Sequence, residues 1–237
     1  MEFLKVQIKD SDLHYWVWLD EDYFPYVKPT EKDIFDAPKP ILIRDLPPEY
    51  FIGFDTADPE SFTNTIPLTN SFESLKIDSD LRKDLRRIDK KNESTRVVIN
   101  EVDALEKSSK WFLEQWKESN EDFERRIKVW KNKVYTLSAY LGDELLGVHI
   151  ALKENNSVYY LGCWWNRERK DLSVPTFLLK RDIEHAIKNG FSFYDLGVGL
   201  EPYKKKWGVI EKPCKYYAEM SANIAEKLEL KEFVEMK

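Results

Sequence analysis

The chain has 237 residues, of which 42% are hydrophobic and 14% aromatic, enough to bury one large core or two modest ones. A net charge of −6 and a pI near 5.4 exclude a global attraction to nucleic acid or anionic membrane, so any polyanion contact must be a local patch. No stretch approaches the roughly 18 apolar residues of a membrane span, and the charged opening MEFLKVQIKDSDLHYWVWL does not read as a signal peptide, so a cytoplasmic protein is expected.

Residues 1–70 hold most of the prolines, in YFPYVKPTEKDIFDAPKPILIRDLPPEYF, which interrupts helices and predicts short strands joined by extended segments. This part is expected to be a small irregular β subdomain, or half of a second domain, separate from residues 71–237. The stretch SDLRKDLRRIDKKN predicts a helix with Ser79 as its cap, an apolar stripe of Leu81, Leu85 and Ile88, and cations around the rest. STRVVINEV follows as a strand. Apolar residues at Leu105, Phe112, Trp116, Phe123, Ile127 and Trp130 predict two helices broken around Ser119 and Asn120.

VYTLSAYLGDELLGVHIALKENNSVYYLGCWW reads as an antiparallel meander of three strands turning at GD and ENNS. LSVPTFLLKRDIEHAIKNG predicts a helix with Ser173 as cap, Pro175 in the first turn and Gly190 as terminator. The strand FSFYDLG comes next, then a turn, then a strand and a polar helix in KPCKYYAEMSANI and beyond. The fold class is α+β. Cys163 and Cys214, the two cysteines, make no disulfide framework and are read as reduced packing residues, with Cys163 a core residue before a nucleophile.

Glycines are unevenly placed. Gly53 alone precedes Gly142, and three of the 8 glycines, Gly197, Gly199 and Gly208, fall within FYDLGVGLEPYKKKWG at residues 193–208. Tight backbone geometry, and with it function, is expected there.

FYDLGVGLEPYKKKWG, together with the element order, resembles the GNAT-type N-acyltransferases, and among them the Fem-type and cellulose-biosynthesis-type members. In these an aspartate-leucine-glycine strand end precedes a tyrosine-lysine pair and a tryptophan-glycine. SFESLKIDSDLRKDLRRIDKKNESTRVVI is similar to the same group's entry segment, so the likeness spans about residues 71–220.

The resemblance implies a mixed sheet flanked by helices, in which two central strands, SVYYLGCWW and SFYDLG, splay apart. Backbone groups of Leu161 and Cys163 would then bond an acyl carrier. The carrier's phosphates would meet Ser173 and Val174 at the helix start, with Arg167, Arg169 and Lys170 beside them and Gly197 across the gap. NRERKDLSVP lacks the phosphate-loop glycine of typical members. Fem-type members share that lack, and some take their acyl group from an aminoacyl-tRNA, so acyl-CoA and aminoacyl-tRNA both stand as donors and no metal is implied.

Amide formation needs a base for the incoming amine, donors for the developing oxyanion and an acid for the leaving group. Tyr203 is the first choice as acid. Lys204 would neutralise a phosphate or the oxyanion, or else join Lys205 and Lys206 in a solvated run. Glu201 and Asp195 are candidate bases, with Asp195 alternatively a brace of its own turn. Trp164 and Trp165 are candidate substrate contacts, although successive strand residues face opposite sides and one of them is expected to pack inward.

His149 and His185 have no evident metal or nucleophile partner and are read as packing or surface groups. Six cations between Arg82 and Lys91, Arg86 among them, make a local positive stripe that either contacts a polyanion, such as a tRNA carrier, or is solvated surface. The acceptor would be an amine of a small molecule, a peptide or a cell-wall precursor. A non-catalytic binding module on the same scaffold is the competing reading.

Overall fold

A computed structural model describes residues 3–8, 11–18, 36–46, 56–101, 103–117, 119–121, 123–124, 127, 134–154, 156–199, 201–230 and 234–236. The chain divides into two compact units, Met1–Thr63 with Glu211–Lys237, and Asn64–Ile210. Glu211–Lys237 groups with the N-terminal segment and not with residues 64–210.

In the first unit, β1 (Phe3–Gln7) pairs antiparallel with β2 (His14–Trp18), and β2 runs parallel to β3 (Ile41–Leu46). The short strands match the proline-broken sequence, while YFPYVKPTEKDIF falls outside the described residues. The unit includes residues of β4 (Thr56–Pro67) up to Thr63.

The second unit holds the central sheet. Its strands lie in the order β4, β9 (Phe193–Val198), β8 (Ser157–Trp165), β7 (Glu144–Glu154), β6 (Val134–Leu141) and β5 (Thr95–Ile99). β5 through β8 are antiparallel neighbours, and for β6, β7 and β8 the alternating runs and the GD and ENNS turns predict this. β9 is parallel to β8.

Helix α1 (Ser79–Lys91) buries Leu81, Leu85 and Ile88, the predicted stripe. Its cap is Asp78 and not Ser79: the Asp78 carboxylate accepts from the N–H groups of Asp80 at 2.9 Å and Leu81 at 3.2 Å, and Ser79 is already inside the first turn. α2 (Ala104–Lys107) and α3 (Ser109–Trp116) follow, and α3 ends at Lys117 in the left-handed conformation, short of the expected break at Ser119. Leu105, Phe112 and Phe123 are buried as the spacing requires, whereas the Trp116 and Trp130 side chains are outside the described residues.

α4 (Val174–Lys188) packs on β6, β7 and β8, and α3 packs on β8. Gly147 makes the α4 contact possible, since a side chain there would meet Val174 Cγ1 at 2.8 Å. A short α5 (Pro202–Lys205) follows β9, β10 (Ile210–Met220) pairs antiparallel with β3, and α6 (Ala222–Lys227) follows it. β11 (Val234–Glu235) pairs parallel with β10, and in this unit Ile8, Leu42, Ala218, Met220, Ile224 and Ala225 form a small core.

Candidate active site

The central sheet parts where the sequence pattern puts the parting. β8 and β9 share three rungs, Ser157↔Phe193, Val158↔Tyr194 and Tyr159↔Asp195. Beyond them β8 runs on to Trp165 and β9 to Val198 without a common register. On its other side β8 stays paired with β7, but the register slips between Ile150↔Gly162 and Ala151↔Tyr160, leaving Leu161 as an extra residue. Such a bulge bends its strand and raises its twist. Here it sits two residues past Tyr159, the β8 member of the final rung, so the bend and the parting coincide.

The far lip of the opening is β9 and the turn after it. Gly197 and Gly199 take positive φ, 80° and 120°, which side chains rarely adopt. The turn is held from inside. Asp195 is buried, its Oδ1 accepting from the Gly197 N–H at 2.7 Å and its Oδ2 from the Thr65 hydroxyl at 3.2 Å, so it braces the turn in the manner weighed against the base role. Asn64 Nδ2 donates to the carbonyls of Gly197 at 3.0 Å and Gly199 at 2.6 Å.

Lys204 is buried, and its ammonium donates to the carbonyls of Val198 at 2.8 Å and Gly197 at 3.3 Å and pairs with Glu201 Oε2 at 2.8 Å. A lysine with all three donors engaged this way pins the strand end; it does not reach a phosphate. The reading of Lys204 as a ligand contact, like that of a solvated run, gives way to this structural one, whereas Lys205 and Lys206 are exposed.

Glu201 and Tyr203 face outward from this turn. Desolvation raises the Glu201 carboxyl, but the hydrogen bond and charge of Lys204 outweigh it and hold the group below the usual glutamate range. The Tyr203 ring is 45% exposed, and partial burial with the nearby Glu201 carboxylate pushes its phenol up to about 12. Across the opening, Tyr160 of β8 is raised well above the ordinary tyrosine value, first by burial and then by the charges of Cys163, Tyr203 and Glu201. Glu201, Tyr203 and Tyr160 thus form one electrostatic cluster at the mouth, and Tyr160 is the member that sequence reasoning missed. Its signal was available only through register, as the first β8 residue after the last rung.

Other candidates fall elsewhere. Trp164 is fully buried on the opposite face, donating to the Ser108 hydroxyl at 2.5 Å and standing edge-on to Phe112 at 5.1 Å, so it is a core residue and not a substrate contact. Trp165 is half-buried and packs with the α4 side of the core. Cys163 is half-buried with its thiol raised by burial, which favours the packing role over that of a nucleophile, and its backbone lies beside the opening.

At the start of α4, Ser173 occupies the cap position but makes no capping bond; its φ of 51° is left-handed. The conformation that a phosphate-loop glycine would supply is therefore taken by a serine, and no side chain caps the leading N–H groups of α4. Val174 is buried in the core. Of the nearby cations, Arg169 is tied to Glu144 at 2.5 Å, while Arg167 and Lys170 are exposed. On α1, Arg82 donates to the Leu75 carbonyl, Lys83 pairs with Asp80 and Arg87 with Asp84, and Arg86 is exposed. Among the described residues no group of three or more His, Cys, Asp or Glu is placed to hold a metal, and no helix is long and apolar enough to cross a membrane.

The fold is shared with solved structures of low identity. The C-terminal domain of a putative lysylphosphatidylglycerol synthetase from Agrobacterium fabrum matches with a TM-score of 0.62 and 14% identity, covering 96% of this chain and 83% of that one. FemX matches with a TM-score of 0.59 and 11% identity over 96% of this chain and 86% of its own. L-PGS from Bacillus licheniformis matches with a TM-score of 0.62 and 12% identity over 95% and 82%. No curated protein matches the sequence. A family model does: the match to the acetyltransferase (GNAT) domain runs over residues 77–205, from the cap of α1 through the parted strands to Lys205, and the chain belongs to that family.

Proposed function

We propose that this protein is an N-acyltransferase that moves an acyl or aminoacyl group onto a substrate amine in the opening between β8 and β9. The observation that carries the reading is the loss of register after Tyr159↔Asp195, beside the Leu161 bulge, with Tyr203 and Glu201 at the mouth. Unpaired strand edges are costly when buried, roughly 1–3 kcal/mol for each orphaned group, and an amide-bearing ligand offsets that cost by bonding them.

The residues fit an acyl-CoA arm and its phosphates. The edge of β8 from Leu161 onward is free of β9, the N–H groups leading α4 have no side-chain cap, and Arg167 and Lys170 are exposed beside them. The donor, when bound, supplies an activated carboxyl group. β8 aligns it, α4 and the two cations hold its anionic end, and Tyr203, protonated at neutral pH because its phenol is pushed up to about 12, gives a proton to the leaving sulfur or oxygen. An aminoacyl-tRNA offers the same kind of activated carboxyl, and the exposed cations of α1 suit a polyphosphate carrier.

Two measurements test this. Acyl-CoAs added in a thermal-shift assay should raise the melting temperature and, with a panel of amines, release free thiol; if every CoA is silent, transfer from charged tRNA is the next assay. Tyr203→Phe should lower kcat about 10²-fold or more with little change in melting temperature. Unchanged turnover in Tyr203→Phe removes the tyrosine from the reaction, and a wild type inert with both donors leaves the binding-module reading in place.

A further inference from the structure

Beneath the point where β8 and β9 part lies a polar cluster that the reaction as drawn does not use. His149 of β7, Asp182 of α4, Tyr135 of β6 and Tyr194 of β9 are all buried. Asp182 Oδ1 accepts the Tyr135 hydroxyl at 2.5 Å and Oδ2 accepts the Tyr194 hydroxyl at 2.5 Å. His149 Nε2 lies 2.9 Å from the same Oδ2 and 3.0 Å from the Tyr194 oxygen.

These partners fix the tautomer. Tyr194 has one hydroxyl proton and directs it to Asp182, so both groups facing Nε2 present lone pairs, and Nε2 carries the ring hydrogen. Nδ1 is then the basic nitrogen. It is buried and has no hydrogen-bond partner. Packing alone calls for no such arrangement, since an aliphatic side chain would fill the space without an orphaned acceptor.

The imidazole also lies at the right place. Its ring centroid is 5.0 Å from that of Tyr160, the first β8 residue past the last rung with β9, and Cys163 is its register partner across β7 and β8. Tyr160 in turn feels the charges of Tyr203 and Glu201. Tyr160 is thus the residue that neighbours both the imidazole and the charged groups at the mouth.

We propose that His149 is the proton acceptor for the substrate amine, with Asp182, held by Tyr135 and Tyr194, as the group that sets its tautomer and balances the charge it gains; this rests on the acyltransferase reading. Nδ1 takes one proton from the substrate ammonium through water in the opening. The freed amine forms the C–N bond as the C–S or C–O bond breaks. Tyr203 protonates the departing atom and is reprotonated from the new amide nitrogen. The net proton of the reaction leaves on His149.

The groups facing the imidazole are Asp182 from α4, Tyr135 from β6, Tyr194 from β9, and Tyr160 and Cys163 from β8. Lys153 of β7 and His185 of α4 act from beyond Tyr135, Lys153 standing over its ring at 4.1 Å.

The chain has three histidines, so ¹⁵N NMR of the imidazoles isolates the one in question, with His14→Gln and His185→Gln assigning the other two. The expected result is a His149 signal in the Nε2–H form at high pH. Acyl transfer from acetyl-CoA, or from charged tRNA, should rise with pH to a plateau. His149→Gln should lower kcat about 10²-fold to 10³-fold and abolish the pH limb, with the donor KM within threefold of wild type. A proton on Nδ1 at high pH, a transfer rate that does not rise with pH, or a His149→Gln enzyme that keeps both rate and limb overturns the proposal. Should the wild type transfer nothing from either donor, the acyltransferase reading fails by that result alone, and the NMR signal, which needs neither turnover nor a His149 variant, still decides whether Nδ1 is the unprotonated nitrogen beneath the opening.

Discussion

Lys204 and Ser173 each do a job that their residue types disguise. Lys204 lies in a cationic run, yet its ammonium holds the carbonyls of Gly197 and Val198, which have no partner strand on β8. Lys204→Met keeps much of the stem volume but orphans those carbonyls and frees Glu201. A loss of about 2–3 kcal/mol is expected, read as a melting temperature lower by roughly 4–10 °C. If Lys204→Met melts with wild type and loses only turnover, the ammonium belongs to the chemistry and not to the turn. Ser173 has φ 51° at the start of α4, where a glycine is free of the strain that a side chain brings. Ser173→Gly should stabilise the protein by up to about 1 kcal/mol, whereas Ser173→Val should destabilise it, both measured by thermal melts. The opposite order would mean that the hydroxyl, and not the backbone, matters at this position.

At the scale of elements, the tryptophan-glycine that closes the glycine-rich segment ties α5 to the entrance of α1. Trp207 is buried edge-on to Phe72 at 6.5 Å, the Asp78 N–H donates to the Lys206 carbonyl at 2.9 Å, and Gly208 has φ 71° directly against the Lys76 backbone. Gly208→Ala adds a methyl where backbone already stands and strains a left-handed residue. A loss of at least about 2 kcal/mol is expected, seen as an earlier chemical-denaturation midpoint; wild-type stability would show that the two backbones are not in contact.

These elements were legible because their signals are local. The stripe Leu81, Leu85, Ile88 repeats at helical spacing, the meander alternates between glycine and asparagine turns, and Gly197 and Gly199 stand where a strand must turn. What stayed hidden depends on register between distant segments. His149 meets Asp182 only because α4 crosses β7, and Asn64 reaches Gly197 across 133 positions of sequence. Polar residues inside a core carry no periodic signature, so a histidine on an apolar strand reads as packing until its partners are seen. The same reason hid the burial of Lys204, since a run of three lysines looks solvated however one of them is turned.

Across the whole molecule, tyrosines set the alkaline limit of stability. Burial raises Tyr135, Tyr160 and Tyr194 above the ordinary value, Tyr135 and Tyr194 further through Asp182, and burial with Glu219 pushes Tyr217 of the first unit up to about 12. In the unfolded chain these phenols ionise near 10. The sign follows from proton counts: above pH 10 the unfolded chain has released protons that the folded chain still holds, so raising the pH favours unfolding. The contribution is therefore complete below pH 10 and is lost as pH climbs toward the folded values. Each buried tyrosine subtracts about 1.4 kcal/mol per pH unit in that window, so Tyr135 and Tyr194 in the central sheet give a slope near −3 kcal/mol per unit. Urea unfolding at pH 8, 9, 10 and 11 should show a plateau, then a steep fall beginning near pH 10, with the part of the tyrosinate absorbance that belongs to the buried phenols appearing together with unfolding and not before it. Tyrosinate absorbance that develops fully in the folded state, with unchanged midpoints up to pH 11, would mean that these hydroxyls are open to solvent.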